Sequence, residues 1–214
     1  MRRETAMYEI LPGQAGALES GIRYIGGELN CALVKAGAKN ASLWSVENYL
    51  YAYAEFEDGC PASIESIAAP YAGYLSVYTK KIAGNEMDLM YHDIGVVRQD
   101  KSLIRRRVFA TVLKDGCAAE YKARHQKLID ARGGEVKDHH ESNFTIRCAK
   151  GRYIFGYCEF VKEFDREQTE EEKQETIAWE TRQLEIMDWL TDDVDWITGQ
   201  KHAKMECLFL QKGY

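Results

Sequence analysis

The stretch "GALESGIRYIGGELNCALVKAGAKNASLW", Gly16 to Trp44, has an echo in "AAEYKARHQKLIDARGGEVKDHHESNFTIR", Ala118 to Arg147. At a constant offset of 103 residues Leu18 falls on Tyr121, Ile22 on His125, Asn40 on Asn143 and Leu43 on Ile146. One residue later in register, "YLYAYAEFEDG" meets "YIFGYCEFVKE", which aligns Glu55 with Glu159 and Phe56 with Phe160. A chain that repeats itself at one fixed spacing is built from two copies of one supersecondary unit, so the fold is decided by reading either copy.

Each copy reads as strand, helix, strand, strand, helix, strand. In the first, "TAMYEIL" (Thr5–Leu11) alternates as a half-buried strand, and Leu18, Ile22, Leu29 and Leu33 recur at helical spacing. "ASLWSVE" and "NYLYAYAEFE" form a strand pair around a short polar turn. After Pro61 a second helix is expected to run to about Gly84, and "EMDLMYH" (Glu86–His92) is the closing strand. The second copy opens at "RRRVFATVL" (Arg105–Leu113) and closes at "KMECLFLQK" (Lys204–Lys212), with "DIGVVRQDKSL" (Asp93–Leu103) as the linker. The predicted class is α+β: two ferredoxin-like βαββαβ repeats, residues 1–95 and 104–214, packed as an intramolecular dimeric α/β barrel with pockets between sheet and helices.

Composition narrows the partners. A formal net charge of −6 argues against a nucleic-acid or anionic-membrane surface, because both need clustered Lys and Arg to offset phosphate charge. No apolar run is long enough to cross a bilayer, and no leader-like apolar stretch follows Arg2 and Arg3. The six cysteines show neither CxxC pairing nor metal-ligand spacing, so they read as reduced core residues of a cytoplasmic protein. The expected partner is a small molecule, and whether the chain also forms a homodimer is left open by the sequence.

Tyr121 and His125, four residues apart, share one face of the second copy's first helix with Leu128 and Arg132. The first copy fills the same two slots with Leu18 and Ile22 and so acts as an internal control. The fold is satisfied by an aliphatic pair there. Burying a phenol and an imidazole instead costs a few kcal/mol unless they are hydrogen-bonded or face a cavity, which marks the pair as candidate catalytic residues. Glu55 and Glu159 hold matching places near the ends of their strands, on the face of Tyr53 and Tyr157 by the period of two. A carboxylate there suits either a strand end or a sugar hydroxyl. "DHHE" (Asp138–Glu141) and the acidic run "EFDREQTEEEKQET" read as solvated loop and helix end, and Trp179, Trp189 and Trp196 as residues of the last helix, in the core or as a stacking platform. No Gly-rich phosphate loop, GxSxG or zinc signature is present.

"EYKARHQKLIDAR", then "SNFTI" with Asn143 eighteen residues after His125, then "IFGYCEF", resembles the L-rhamnose mutarotase family. The resemblance covers both repeats, so the chain looks like a tandem fusion of two units that relatives use singly in dimers. It implies a cofactor-free isomerase interconverting the α and β anomers of L-rhamnose or a related deoxy sugar by general acid/base ring opening and closure. It implies that Tyr121 contacts the sugar and His125 is the proton donor to the ring oxygen; the other proton falls to Glu159 or an ordered water. The family's sugar-contacting tyrosine falls on Phe144, which lacks the hydroxyl, its tryptophan pair near Ile186 and Met187, and a further aromatic on Trp189. The substrate-binding set is therefore Phe144, Glu159, Met187 and Trp189. Leu18, Ile22 and Ala41 replace the family's Tyr, His and Tyr in the first repeat, which implies one active site per chain. The competing readings are a non-catalytic sugar-binding or regulatory protein and a different small-molecule enzyme on the same scaffold.

Overall fold

The structure, a computed structural model, describes residues 1–131, 141–162, 169–190 and 205–213. It divides into two compact units, Met1–Met87 with Met205–Tyr214, and Asp88–Lys204. In the first unit β1 (Arg2–Ile10), α1 (Ala15–Lys35), β2 (Ala38–Val46) and β3 (Tyr49–Phe56) follow one another as the hydrophobic periods require. Short helices α2 (Ile64–Ala68) and α3 (Ala72–Leu75) lead into β4 (Thr79–Ala83). The next strand, β5 (Asp88–Asp93), belongs to the second unit with β6 (Ile104–Leu113), α4 (Ala118–Ala131), β7 (Glu141–Ala149), β8 (Tyr153–Val161), α5 (Glu170–Gln183) and β9 (Met187–Trp189). The last strand, β10 (Glu206–Leu210), returns to the first unit.

The two antiparallel sheets have the orders β10-β2-β3-β1-β4 and β5-β7-β8-β6-β9. Without the outermost strand each is the ferredoxin-like order expected from the repeat, but two assignments change. The fourth strand of each unit is β4 or β9, where a helix end is expected: Val77, Tyr78, Thr79 and Ile82 favour an extended chain, and Thr79 and Ala83 are buried on either side of exposed Lys80 and Lys81. The expected closing strands do form, but each adds to the other repeat's sheet, β5 on β7 and β10 on β2. The compact units therefore differ from the expected 1–95 and 104–214. Pairing satisfies the backbone groups of an edge that would otherwise stay open.

Both second strands carry a bulge, between Lys39 and Ser42 and between Ser142 and Thr145. Asn40 and Asn143 sit in them with φ of 53° and 55°, a conformation that asparagine tolerates better than most side chains. Gln211, buried beside the first bulge, accepts from the Ala41 N–H at 3.0 Å and donates to the Ala38 carbonyl at 2.7 Å. In the second unit the Asn143 N–H reaches the Ile94 carbonyl at 2.7 Å. Of the six cysteines only Cys148 and Cys158 are buried; Cys31 and Cys207 are exposed, so their apolar neighbourhoods in sequence do not translate into core positions. No helix among the described residues is long and apolar enough to cross a membrane.

Candidate functional site

Helix α4 lies on one face of the second sheet, and its inward stripe is Tyr121, His125 and Ile129; Leu128 is half-buried, and Arg132 lies outside the described residues. Polar ties link α4 and the turn before it to the end of α5 and the residues just beyond. Arg124 donates to the Arg182 carbonyl and to Glu185 at 2.9 Å, and the Lys114 ammonium donates at 3.0 Å to the carbonyls of Leu184 and Glu185 at the end of α5. The start of α5 explains the described part of the acidic run, from Thr169 on; residues 163–168 lie outside the described residues. Thr169 and Glu172 form a capping box, and Glu170, Glu171 and Glu172 occupy the first turn, where the helix dipole favours negative charge.

Tyr121 and His125 are 2% and 6% exposed. His125 Nδ1 is 2.9 Å from the Tyr121 carbonyl oxygen. A carbonyl can only accept, so Nδ1 carries the hydrogen and Nε2 of the neutral ring keeps its lone pair. Burial lowers the imidazole pKa below its ordinary value of 6.5, against an opposing contribution from that hydrogen bond, so the neutral ring prevails at pH 7. Burial, reinforced by the charge of Glu180 and by Cys148, pushes the Tyr121 hydroxyl far above the usual phenol range; it remains a donor and does not act as a phenolate.

Aromatic rings enclose the imidazole. The Tyr121 ring centroid is 4.2 Å away, Trp179 approaches edge-on at 5.3 Å, and Tyr91 lies at 5.5 Å. Tyr91 in turn meets Phe144 at 5.2 Å, and Phe144 meets Phe109 at 6.2 Å, both edge to face. Gly156, opposite Phe109 on β8, makes room for this packing, since a Cβ there would overlap the Phe109 ring. One helical turn beyond Trp179, Gln183 is 1% exposed, and both polar atoms of its amide lack a hydrogen-bond partner among the described residues. Such a group invites a ligand, because an unpaired buried amide costs about 1–3 kcal/mol.

The structure thus brings Tyr121, His125 and Phe144 together and places Met187 in the same apolar cluster. Met187 and Trp189 stand on β9 and not on the last helix, which ends at Gln183; their backbones pair with Leu113 and Thr111. Glu159 is not part of this site. Ile154 packs beneath Tyr121, and by the strand period of two Tyr157 and Glu159 point to the opposite face. There Glu159 Oε1 accepts from Asn143 at 3.0 Å and from Tyr157 at 2.9 Å, and Lys101 pairs with both carboxylate oxygens at 2.8–2.9 Å. Glu55 repeats the arrangement with Asn40 at 2.7 Å and Tyr53 at 2.9 Å. A network present in both units belongs to the bulge of the fold. Lys101, assigned to the linker by sequence, occupies a 3₁₀ turn at Lys101–Leu103.

Tyr91, Glu180 and Gln183 escape the sequence reading. Trp179 and Gln183 at i and i+4 are the signal that could have found the α5 face. Tyr91 offers none, because its strand is expected in the other sheet. Trp196, His202 and Asp138 to His140 lie outside the described residues. Among the described residues no group of three or more His, Cys, Asp or Glu is placed to hold a metal.

Residues 106–210 match the family model of L-rhamnose mutarotase. The matched span runs from β6 to β10 and holds α4 with Tyr121 and His125. Among solved structures the chain is similar to a crystal structure of a Fusobacterium nucleatum protein described as "Putative monooxygenase". That likeness has a TM-score of 0.50 and 8% identity over 98% of this chain and 94% of the other, and it carries the fold alone. No match to a curated protein is found.

Proposed function

We propose that the second unit is a sugar mutarotase that interconverts the α and β anomers of L-rhamnose or a related 6-deoxy aldose. The observation that carries this reading is His125: a neutral imidazole with Nδ1 anchored to a carbonyl, in slots that the first repeat fills with Leu18 and Ile22. The match of residues 106–210 to the mutarotase family supports the same chemistry.

Ring opening moves a proton from the anomeric hydroxyl to the ring oxygen as the bond between C1 and the ring oxygen breaks. Both oxygens are bonded to C1, so one imidazole can serve both. Nε2 takes the proton from the anomeric hydroxyl, and the resulting imidazolium delivers it to the ring oxygen. After rotation of the open aldehyde the same steps run backwards and close the other anomer. This keeps His125 as the group that protonates the ring oxygen and makes it the base as well. Tyr121, held protonated, donates to a sugar oxygen, and Gln183 offers both a donor and an acceptor to hydroxyl groups. The rings of Tyr91, Phe144 and Trp179 suit the carbon face and the methyl group of a deoxy sugar. One positioned acid–base group contributes about 10² to 10⁴-fold, enough for a reaction whose spontaneous rate is already appreciable.

Anomer exchange followed by saturation-transfer NMR, across L-rhamnose, L-fucose and related 6-deoxy sugars, tests the reading. The wild-type chain is expected to accelerate exchange of one of them, and His125→Ala to return it to the spontaneous rate. Exchange by His125→Ala at the wild-type rate would remove His125 from the mechanism.

A further inference from the structure

The first unit contains an apolar cavity of about 90 Å³ between its sheet and its helices. Ile22, Ile25 and Leu29 of α1, Ala41 and Ala52 of the sheet, and Ile67 of α2 contribute to its wall. Among the described residues no Asp, Glu, Lys, Arg or His lines it. Its hydroxyl groups are largely committed elsewhere. Ser42 accepts from the Trp44 indole at 2.8 Å, Tyr53 donates to Glu55 at 2.9 Å, Thr79 to the Leu75 carbonyl at 2.9 Å and Tyr71 to Glu28 at 3.3 Å. Tyr8, the remaining one, is kept uncharged by burial, which raises its pKa. Ile25, Leu29, Tyr71 and Leu75 are only partly buried, so the cavity has a way in from solvent.

The second repeat shows that the fold does not require this space. Where the first unit has Ala41 and Ala6, the second has Phe144 and Phe109, whose rings pack against each other. The void is thus a property of the first repeat's own side chains. It has room for far more than one water, yet its wall is almost wholly apolar and supplies few of the two to four polar partners that hold one.

We infer that the first unit is a second binding site, taking a compact, uncharged, apolar molecule no larger than a single small ring or a short branched alkyl group. Shape and burial of apolar surface provide its recognition, and sugars are excluded because their hydroxyl groups would lose water without finding partners. This site does not depend on the chemistry proposed for His125.

The test is a methyl NMR titration of the full chain with benzene up to its aqueous solubility. Saturable shifts are expected at Ile22, Ile25, Leu29, Ile64 and Ile67, with Leu113, Ile146 and Ile154 of the second unit unmoved. Ala41→Phe, which introduces the second repeat's residue, is expected to abolish the saturable shifts. Ala52→Val fills the same space with a smaller change and is expected to weaken binding at least tenfold, should Ala41→Phe not fold. Non-saturable shifts spread over both units, saturable shifts confined to the second unit, or equal displacement of the first unit's methyl groups by L-rhamnose would each overturn the assignment.

Discussion

The two units share the bulge network and differ on the helix-facing side of the sheet. Asn40, Tyr53 and Glu55 reappear as Asn143, Tyr157 and Glu159 with matching hydrogen bonds and the same left-handed asparagine. Leu18, Ile22 and Ala41 become Tyr121, His125 and Phe144. Polar residues kept in both copies serve the fold, whereas polar residues introduced into one copy need another explanation. The glutamates and His125 are all candidates in sequence, the pair with His125 the stronger, and the hydrogen bonds repeated in both units widen that difference.

The largest effect should come from breaking what is shared. Glu159→Ala strands the Asn143 amide, the Tyr157 hydroxyl and an ammonium, Lys101, that is 11% exposed. A loss of about 3–5 kcal/mol in urea unfolding is expected, as for other broken buried pairs; a loss below 1 kcal/mol would show that the network is not structural. His125→Ile, which copies Ile22, should do the reverse: stability within about 1 kcal/mol of wild type, with anomer exchange reduced by about 10² to 10⁴-fold. Unfolding of that variant at room temperature would mean that the imidazole is part of the core.

Gly156→Ala probes the packing that only the second unit has. The added methyl meets the Phe109 ring, and a cost of about 1–3 kcal/mol is expected, read as a lower Tm. At Ala52, which stands opposite Ala6 in the first unit, Ala52→Val should be tolerated or stabilising. The smallest effect is that of pH. Because folding lowers the pKa of His125, the unfolded chain binds the extra proton first; its contribution is intact above pH 6.5 and is lost as pH falls through the folded-state value. Wild-type Tm should therefore drop more steeply than that of His125→Ile below pH 6.5, and the exchange rate should hold to lower pH than a free imidazole would allow. Parallel Tm profiles would contradict the buried neutral ring.

Much of this was legible in the chain. The offset of 103 residues placed Leu18 on Tyr121 and Asn40 on Asn143, and the periods of two and 3.6 identified β1, α1, β2, β3 and their copies. Side-chain periodicity reports which face a residue occupies, so it found the stripe carrying Tyr121 and His125. It does not report which edge a strand pairs with, because the pairing groups are backbone N–H and C=O, the same in every residue. The exchange of β5 and β10 between sheets, and with it the arrival of Tyr91 beside His125, was therefore invisible. So was Lys101, whose charge found Glu159 across a separation of 58 residues.

By itself, then, the sequence determined that the protein is a duplicated α+β unit in which one copy carries a Tyr–His pair in place of an aliphatic one. The tertiary structure decided that Glu159 faces away from that pair, that Trp179 approaches it from α5, where Gln183 is buried one turn further on, and that the first copy encloses a cavity. The physical reason is the range of the interactions. Helix and strand periods are set within a few residues, whereas edge pairing, the orientation of a buried carboxylate and the filling of a void depend on groups brought together only when the sheets close.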